Sequence, residues 1–210
     1  IARKWRKGRI FIAGDAAHLM PPFMGQGMCA GIRDVSNLAW KISLCIKNKH
    51  NEKFLDTYQT ERFSNAKEYI ETTMRMGEFV NAIGSEKITD NISSKPDGTK
   101  KMESIKPKLG FGLGDKTDRN RGRIFPQLKM KNGKTLDDKF STSPIVLSSS
   151  ELKMKKSKSK IPIITEKEVV GLSKVLKNYE AKAINVRPDR FILKTCKTIK
   201  DFNQIEHLPL

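Results

Sequence analysis

The chain has 210 residues, and 41 Lys and Arg against 23 Asp and Glu give it a net charge of +18. Its three cysteines (Cys29, Cys45 and Cys196) stand far apart, which excludes a disulfide scaffold or a Cys-x-x-Cys redox motif, and three scattered histidines add no metal-ligand cluster. No apolar run approaches the ~18 residues of a membrane span and no signal peptide opens the chain, so a cytoplasmic protein without a membrane anchor is expected. The start at Ile1 rather than Met, just ahead of a strand, reads as the start of a fragment.

The first predicted element is the strand in Gly8–Asp15, where Ile10, Phe11, Ile12 and Ala13 form a short continuous apolar run. Such a run suits a strand covered on both faces and ended by Gly14. In the following segment Pro21 and Pro22 forbid a regular helix, while Gly25 and Gly27 permit tight backbone geometry. A long helix is predicted to start between Gly27 and Ile32. Ile32, Val35, Ala39, Ile42 and Ile46 recur at steps of three and four, the spacing of one buried stripe, which Trp40 and Leu44 widen.

A second helical region is expected from Glu52 to Ile83, with a break, on an apolar face of Phe54, Leu55, Tyr58, Phe63, Ala66, Ile70, Met74 and Gly77. The pattern fades over 84–117, which is read as a linker holding a turn at Ser93–Gly98 and the glycine-rich Lys108–Gly114. Beyond it, Arg123–Phe125, Ile145–Leu147 and Phe191–Leu193 are strand candidates and Glu166–Tyr179 a helix. Lys153–Lys160 reads as a hydrophilic loop or a disordered linker, with a basic docking surface as the weaker alternative. The divisions are thus 1–83, 84–117 and 118–210, in an α/β class.

The chemistry concentrates between Gly14 and Asp34. A Gly-Asp pair at the end of a strand puts the Asp15 carboxylate where open α/β sheets bind ligands, able to accept bonds from a sugar or polyol hydroxyl; a plain turn or cap residue is the alternative. Gly25, Gly27 and Gly31 surround the helix start, so a flat or anionic group can approach backbone N–H groups there, unless the segment is only a tight entry to the helix. His18 reads as a hydrogen-bonded residue fixing the loop, Cys29 as a small buried residue, and Asp34 as a group that caps or pins the helix start. Arg33 is either a phosphate neighbour or surface. The segment is neither a Walker loop nor Gly-x-Gly-x-x-Gly. With no triad and no paired carboxylates, the site suits an enzyme whose cofactor carries the chemistry.

The stretch Gly8-Arg-Ile-Phe-Ile-Ala-Gly-Asp-Ala-Ala-His-Leu-Met-Pro-Pro-Phe-Met-Gly-Gln-Gly-Met-Cys-Ala-Gly-Ile-Arg-Asp-Val-Ser-Asn-Leu-Ala-Trp-Lys-Ile42 resembles the FAD-dependent aromatic-ring hydroxylases, closest to the 3-(3-hydroxyphenyl)propionate hydroxylase type. Leu55–Arg62, Gly122–Gln127, Leu136–Asp138 and Asn185–Arg190 resemble further landmarks of that family in its order. The resemblance implies the C-terminal part of a Rossmann-like FAD-binding domain, followed by a shortened thioredoxin-like domain. It implies that Asp15, after Gly14, binds the ribityl hydroxyls of FAD and that Pro22 stands beside the reactive edge of the ring. Gly25, Gly27, Met28 and Cys29 then supply the backbone that meets the pyrimidine end. Members of the family use NADH or NADPH and O2 to hydroxylate a phenolic ring. The family's Gly-x-Gly-x-x-Gly fingerprint is not in this sequence, so a separate N-terminal FAD-binding half is an implied partner, and the isolated chain is expected to be inactive.

Two other classes compete. One is an inactive, truncated relative with a packing role. The other is a small basic nucleic-acid-binding protein, for which charge is the only support: no zinc-finger or helix-turn-helix pattern accompanies it, and Lys rather than Arg dominates the basic residues.

Overall fold

The computed structural model describes residues 1–48, 51–83, 105–152, 161–198 and 200–201. The Ser93–Gly98 turn and the Lys153–Lys160 loop lie outside them, as do His50 and His207.

A small hairpin opens the chain, with β1 (Arg6–Lys7) antiparallel to β2 (Ile10–Phe11). The sequence suggested a strand through Ala13 buried on both faces. Here pairing stops at Phe11, and Ile10 is 71% exposed. The short hairpin gives Ile10 a neighbour along the sheet but nothing over its face. Two 3₁₀ turns follow at Gly14–Ala16 and Pro22–Met24, and no continuous helix crosses the Pro-rich segment. The long helix α1 (Gly27–Asn48) begins where the prolines and glycines place it.

The packing of α1 corrects the stripe. Ile32, Val35 and Ile46 are all more than half exposed, Ala39 is exposed and Ile42 is half-buried. The buried face instead carries Ala30, Asp34, Asn37, Leu38 and Lys41. Helical periodicity identified the faces but not which of them meets the next helix: a polar face can be the inner one when every group on it finds a partner.

Those partners come from α2 (Thr57–Ile83), entered through a 3₁₀ turn at Glu52–Asp56 whose Asn51 side chain accepts the Lys53 N–H. Trp5, Ala17, Leu38, Tyr58 and Ala66 form the apolar core between the hairpin and the two helices. The Tyr58 hydroxyl donates to the Ile12 carbonyl at 3.0 Å, so α2 holds the chain just past β2.

The glycine-rich segment does not hang free. Gly110 N–H donates to the Glu61 carbonyl at 2.8 Å, and Leu109 is buried. A Cβ on Gly110 would stand 2.3 Å from the Thr60 carbonyl oxygen, so the segment comes this close to α2 because residue 110 has no side chain.

The C-terminal half is a mixed sheet of order β4-β3-β5-β6: β3 (Ile145–Ser148), β4 (Ile163–Thr165), β5 (Ala183–Val186) and β6 (Ile192–Cys196). β3 pairs parallel with β4 and antiparallel with β5, which pairs antiparallel with β6. The short helices α3 (Leu136–Phe140) and α4 (Leu172–Asn178) close one face through Leu136, Leu172 and Leu176 against Leu147, Ile184 and Ile192. Of the suggested strands, Ile145–Leu147 and the region after Phe191 form as expected, while Arg123–Phe125 contributes only an isolated bridge from Ile124 to Phe191. The suggested helix at Glu166 starts later, at Leu172, because Gly171 takes a left-handed conformation (φ +75°). β4 and β5 escaped the sequence reading, being too short to show alternation.

Candidate functional site

Asp34 organises the segment between β2 and α1. It is fully buried, and its two carboxylate oxygens are shared among three elements. Oδ2 accepts the Gly14 N–H at 3.0 Å and faces His18 Nε2 at 2.7 Å; Oδ1 accepts Arg62 Nε of α2 at 2.8 Å. Burial pushes the carboxyl upward, but the His18 bond, the Arg62 charge and the Gly14 bond outweigh it and hold Asp34 below its ordinary value. An ionised carboxylate only accepts, so the His18 proton sits on Nε2. Nδ1 of the same ring is buried without a hydrogen-bond partner among the described residues. Trp5 packs on His18 at 5.3 Å between ring centroids. His18 therefore ties the loop down, and Asp34 pins the loop to both helices.

That pinning brings two backbones into contact. Gly14 takes φ +58°, and a Cβ on Gly31 would lie 3.4 Å from the Gly14 Cα. Next to it Asp15 points the other way: it is exposed, in the first turn of Gly14–Ala16, and its carboxylate has no ion pair or hydrogen bond among the described residues.

The second turn delivers the helix start. Pro22 opens it, exposed, and Gly25 closes it in a left-handed conformation (φ +60°), with its N–H bonded to the Pro22 carbonyl at 2.9 Å. The first helical bond of α1 runs from Ala30 N–H to the Gln26 carbonyl at 2.8 Å. The N–H groups of Gly27, Met28 and Cys29 precede it and have no acceptor among the described residues. Met28 is 76% exposed, and Cβ atoms on Gly25 and Gly27 would meet nothing within 4 Å. Cys29 is half-buried. The result is an open helix N-terminus with unused donors and a positive end of the helix dipole, while Asp15, in the preceding turn, holds an exposed carboxylate without a partner among the described residues.

Arg33 lies over the Tyr69 ring, 5.0 Å from its centroid, and reaches Gln26 Oε1 at 3.5 Å. It is a side chain packed beside the loop. A cleft of about 890 Å³ lies elsewhere, between the outer face of α1 and Ser141–Pro144 with Arg190, and touches neither Asp15 nor the Gly25–Cys29 backbone. Among the described residues no helix is long and apolar enough to cross a membrane.

Sequence reasoning missed the charged cluster behind α1. Glu61 of α2 accepts Lys41 Nζ at 2.8 Å, Asn37 Nδ2 at 3.0 Å, and both terminal nitrogens of Arg187 at 2.9 and 2.8 Å. Asp189 accepts Arg187 at 2.9 and 2.7 Å and Asn37 at 2.9 Å. Asp34, Asn37 and Lys41 recur at helical steps on one face of α1, a polar stripe visible in the sequence that does not show its partners.

Residues 1–73 match the family described as FAD binding domain. The probable NADH-specific resorcinol 4-hydroxylase of Rhodococcus jostii is 37% identical over 131 residues, 60% of this chain and 24% of that protein. The 3-(3-hydroxy-phenyl)propionate/3-hydroxycinnamic acid hydroxylase of Escherichia coli O139:H28 is 47% identical over 77 residues, 37% of this chain and 14% of that protein. The aligned region thus spans a quarter or less of these two relatives. Among solved structures, aklavinone-11 hydroxylase in complex with FAD and aklavinone matches all of this chain and 45% of its own, with a TM-score of 0.66 at 20% identity. OxyS anhydrotetracycline hydroxylase from Streptomyces rimosus matches 97% of this chain and 45% of its own, with a TM-score of 0.64 at 20% identity. The resemblance to FAD-dependent aromatic hydroxylases and the FAD assignment agree with these matches, and the mixed helix-and-sheet fold is that of the matched part of those solved hydroxylases.

Proposed function

We propose that this chain supplies the ribityl- and ring-contacting part of an FAD-dependent monooxygenase that hydroxylates a phenolic substrate with NADH or NADPH and O2. The observation that carries the reading is that an exposed Asp15 carboxylate and the N–H groups of Gly27, Met28 and Cys29, none with a partner among the described residues, stand on the loop and the helix that the buried Asp34 joins. The donor set suits the group. A polyol chain needs a carboxylate acceptor, and the pyrimidine edge of an isoalloxazine needs N–H donors where negative charge develops on reduction. When bound, FAD supplies the redox and oxygen chemistry; the residues of this chain hold and polarise it. Asp15 orients the ribityl hydroxyls, Gly14 gives the turn that presents Asp15, Gly25 lets the loop turn into α1, and Pro22 opens the 3₁₀ turn that stands beside the ring edge. Neither Asp15 nor Cys29 acts as an acid, base or nucleophile. In this reading the ADP half of FAD is held by an N-terminal half outside this chain.

The test is FAD titration by fluorescence quenching, with this chain alone and with the N-terminal half of a matched hydroxylase supplied in trans. Binding that appears on complementation and weakens at least tenfold in Asp15→Ala supports the reading. Binding indifferent to Asp15 overturns it.

A further inference from the structure

The cluster behind α1 belongs to three separated parts of the sequence. Lys41 and Asn37 stand on α1, Glu61 on α2, and Arg187 and Asp189 on the turn between β5 and β6. Lys41, Glu61 and Arg187 are essentially inaccessible to solvent. Two cations and two carboxylates balance, and both terminal nitrogens of Arg187 reach Glu61 while its other edge holds Asp189. The Trp40 ring caps the assembly, with the Arg187 guanidinium 5.2 Å and Lys41 Nζ 5.8 Å from its centroid. Glu61 also accepts the Leu113 N–H at 2.8 Å, which ties the glycine-rich segment to the same carboxylate.

A buried charge cluster contributes little to stability compared with an apolar core of the same shape, but losing one member leaves the others uncompensated. Without Arg187 and Asp189, α1 and α2 would bury Lys41 and Glu61 beside an unfilled space. The C-terminal sheet therefore completes the helical layer instead of merely following it in sequence.

We infer that Arg187 is a positioning residue: through Glu61 and Asn37 it locks the C-terminal sheet to α1 and so fixes the stance of the helix whose first turn presents Gly27, Met28 and Cys29. The consequence for a flavin rests on the preceding reading, but the lock and its test do not. A rigid helix transmits the constraint. Asp34, one turn before Asn37, anchors the same buried face to the loop, so the lock and the loop share one element.

The experiment uses the 210-residue chain with Arg187→Met, Arg187→Lys and Asp189→Asn, read by segment-resolved amide exchange and by NMR titration of the Lys41 side chain. Burial and the Arg187 charge hold Lys41 down at about 8, whereas Glu61 and Asp189 raise it. Arg187→Met is expected to speed exchange at least tenfold in α1 around Asn37–Lys41 and in α2 around Glu61, and to move the Lys41 titration upward. Arg187→Lys, which keeps the charge and loses the fork, moves both less. Asp189→Asn moves Lys41 downward. Mere loosening would hydrate Lys41 and raise its titration in every variant, so opposite signs identify the lock. Exchange confined to residues 183–196, or a Lys41 titration that rises in both Arg187→Met and Asp189→Asn, overturns the inference. If Arg187→Met does not fold, the Asp189→Asn sign and the Arg187→Lys exchange decide alone.

Discussion

Asp34 Oδ2 stands 2.7 Å from His18 Nε2 inside the protein, while Oδ1 of the same carboxylate takes Arg62 Nε at 2.8 Å. One side chain therefore spends its acceptor capacity on a loop and on the neighbouring helix, and both lose their partner when it is removed. Asp34→Ala should destabilise the chain by about 3–5 kcal/mol, since it strands a buried guanidinium. Urea unfolding measures this, and a change under 1 kcal/mol would show that the pairing does not hold the loop.

The same residue sets an acid limit. Its folded value lies below its ordinary one, so its contribution is fully present above the unfolded value near 4. That contribution is lost as pH falls through the lower, folded value. Glu61 is also held down, against burial, by Arg187 and Lys41, and adds a loss of the same sign. Stability should therefore fall steeply below about pH 4, and Asp34→Asn should flatten that fall. An unchanged acid slope in the variant would exclude Asp34 as its source.

Lys41 produces a trend of the same sign at alkaline pH. Its folded value of about 8 lies below the ordinary lysine value, so between the two the unfolded chain binds the extra proton. Stability should rise from pH 8 towards pH 10, by up to about 1.4 kcal/mol per unit. Lys41→Met removes the rise. Denaturant unfolding at intervals of half a pH unit resolves it, and a flat wild-type profile contradicts it.

Two glycines separate backbone packing from open space. A methyl on Gly110 would strike the Thr60 carbonyl oxygen, whereas a methyl on Gly27 meets nothing within 4 Å. Gly110→Ala should cost about 1–3 kcal/mol, because backbone must move. Gly27→Ala should be neutral or slightly stabilising at a helix start. Thermal unfolding of both variants checks the contrast, and equal effects would mean that the glycine-rich segment does not lie on α2.

The legible parts of the sequence were those governed by local rules. Pro21, Pro22, Gly25 and Gly27 set where α1 begins, and the Gly14–Asp15 pair marked the loop. The inner face of α1 was not legible, because period alone cannot tell an apolar face left open from a polar face fully paired: Asp34, Asn37 and Lys41 became interior only through Glu61, Arg62 and Arg187 elsewhere in the chain. Leu55–Arg62 and Asn185–Arg190 stood out as motifs, yet that Glu61 meets Arg187 across 126 residues is a tertiary fact no local pattern encodes. β4 and β5, three and four residues long, were below the length at which alternation becomes visible.

Asp15 offers the sharpest separation of fold from ligand. It is exposed and has no partner among the described residues, so Asp15→Ala should change folding stability by no more than about 0.5 kcal/mol. A carboxylate that accepts bonds from ribityl hydroxyls, by contrast, contributes about 1.5–3 kcal/mol to binding. At about 1.4 kcal/mol per tenfold, its loss should weaken FAD affinity by roughly 10- to 100-fold. Gly27→Ala is the companion variant: its methyl enters the open space at the helix start, so it should leave the thermal midpoint in place and also weaken binding. Unfolding and FAD fluorescence quenching are measured on the same preparations in the complemented form. If both variants lower stability and affinity together, the loop is a packing element. If stability holds while affinity falls, the carboxylate and the bare helix N-terminus are ligand groups, kept at the surface because nothing inside the protein needs them.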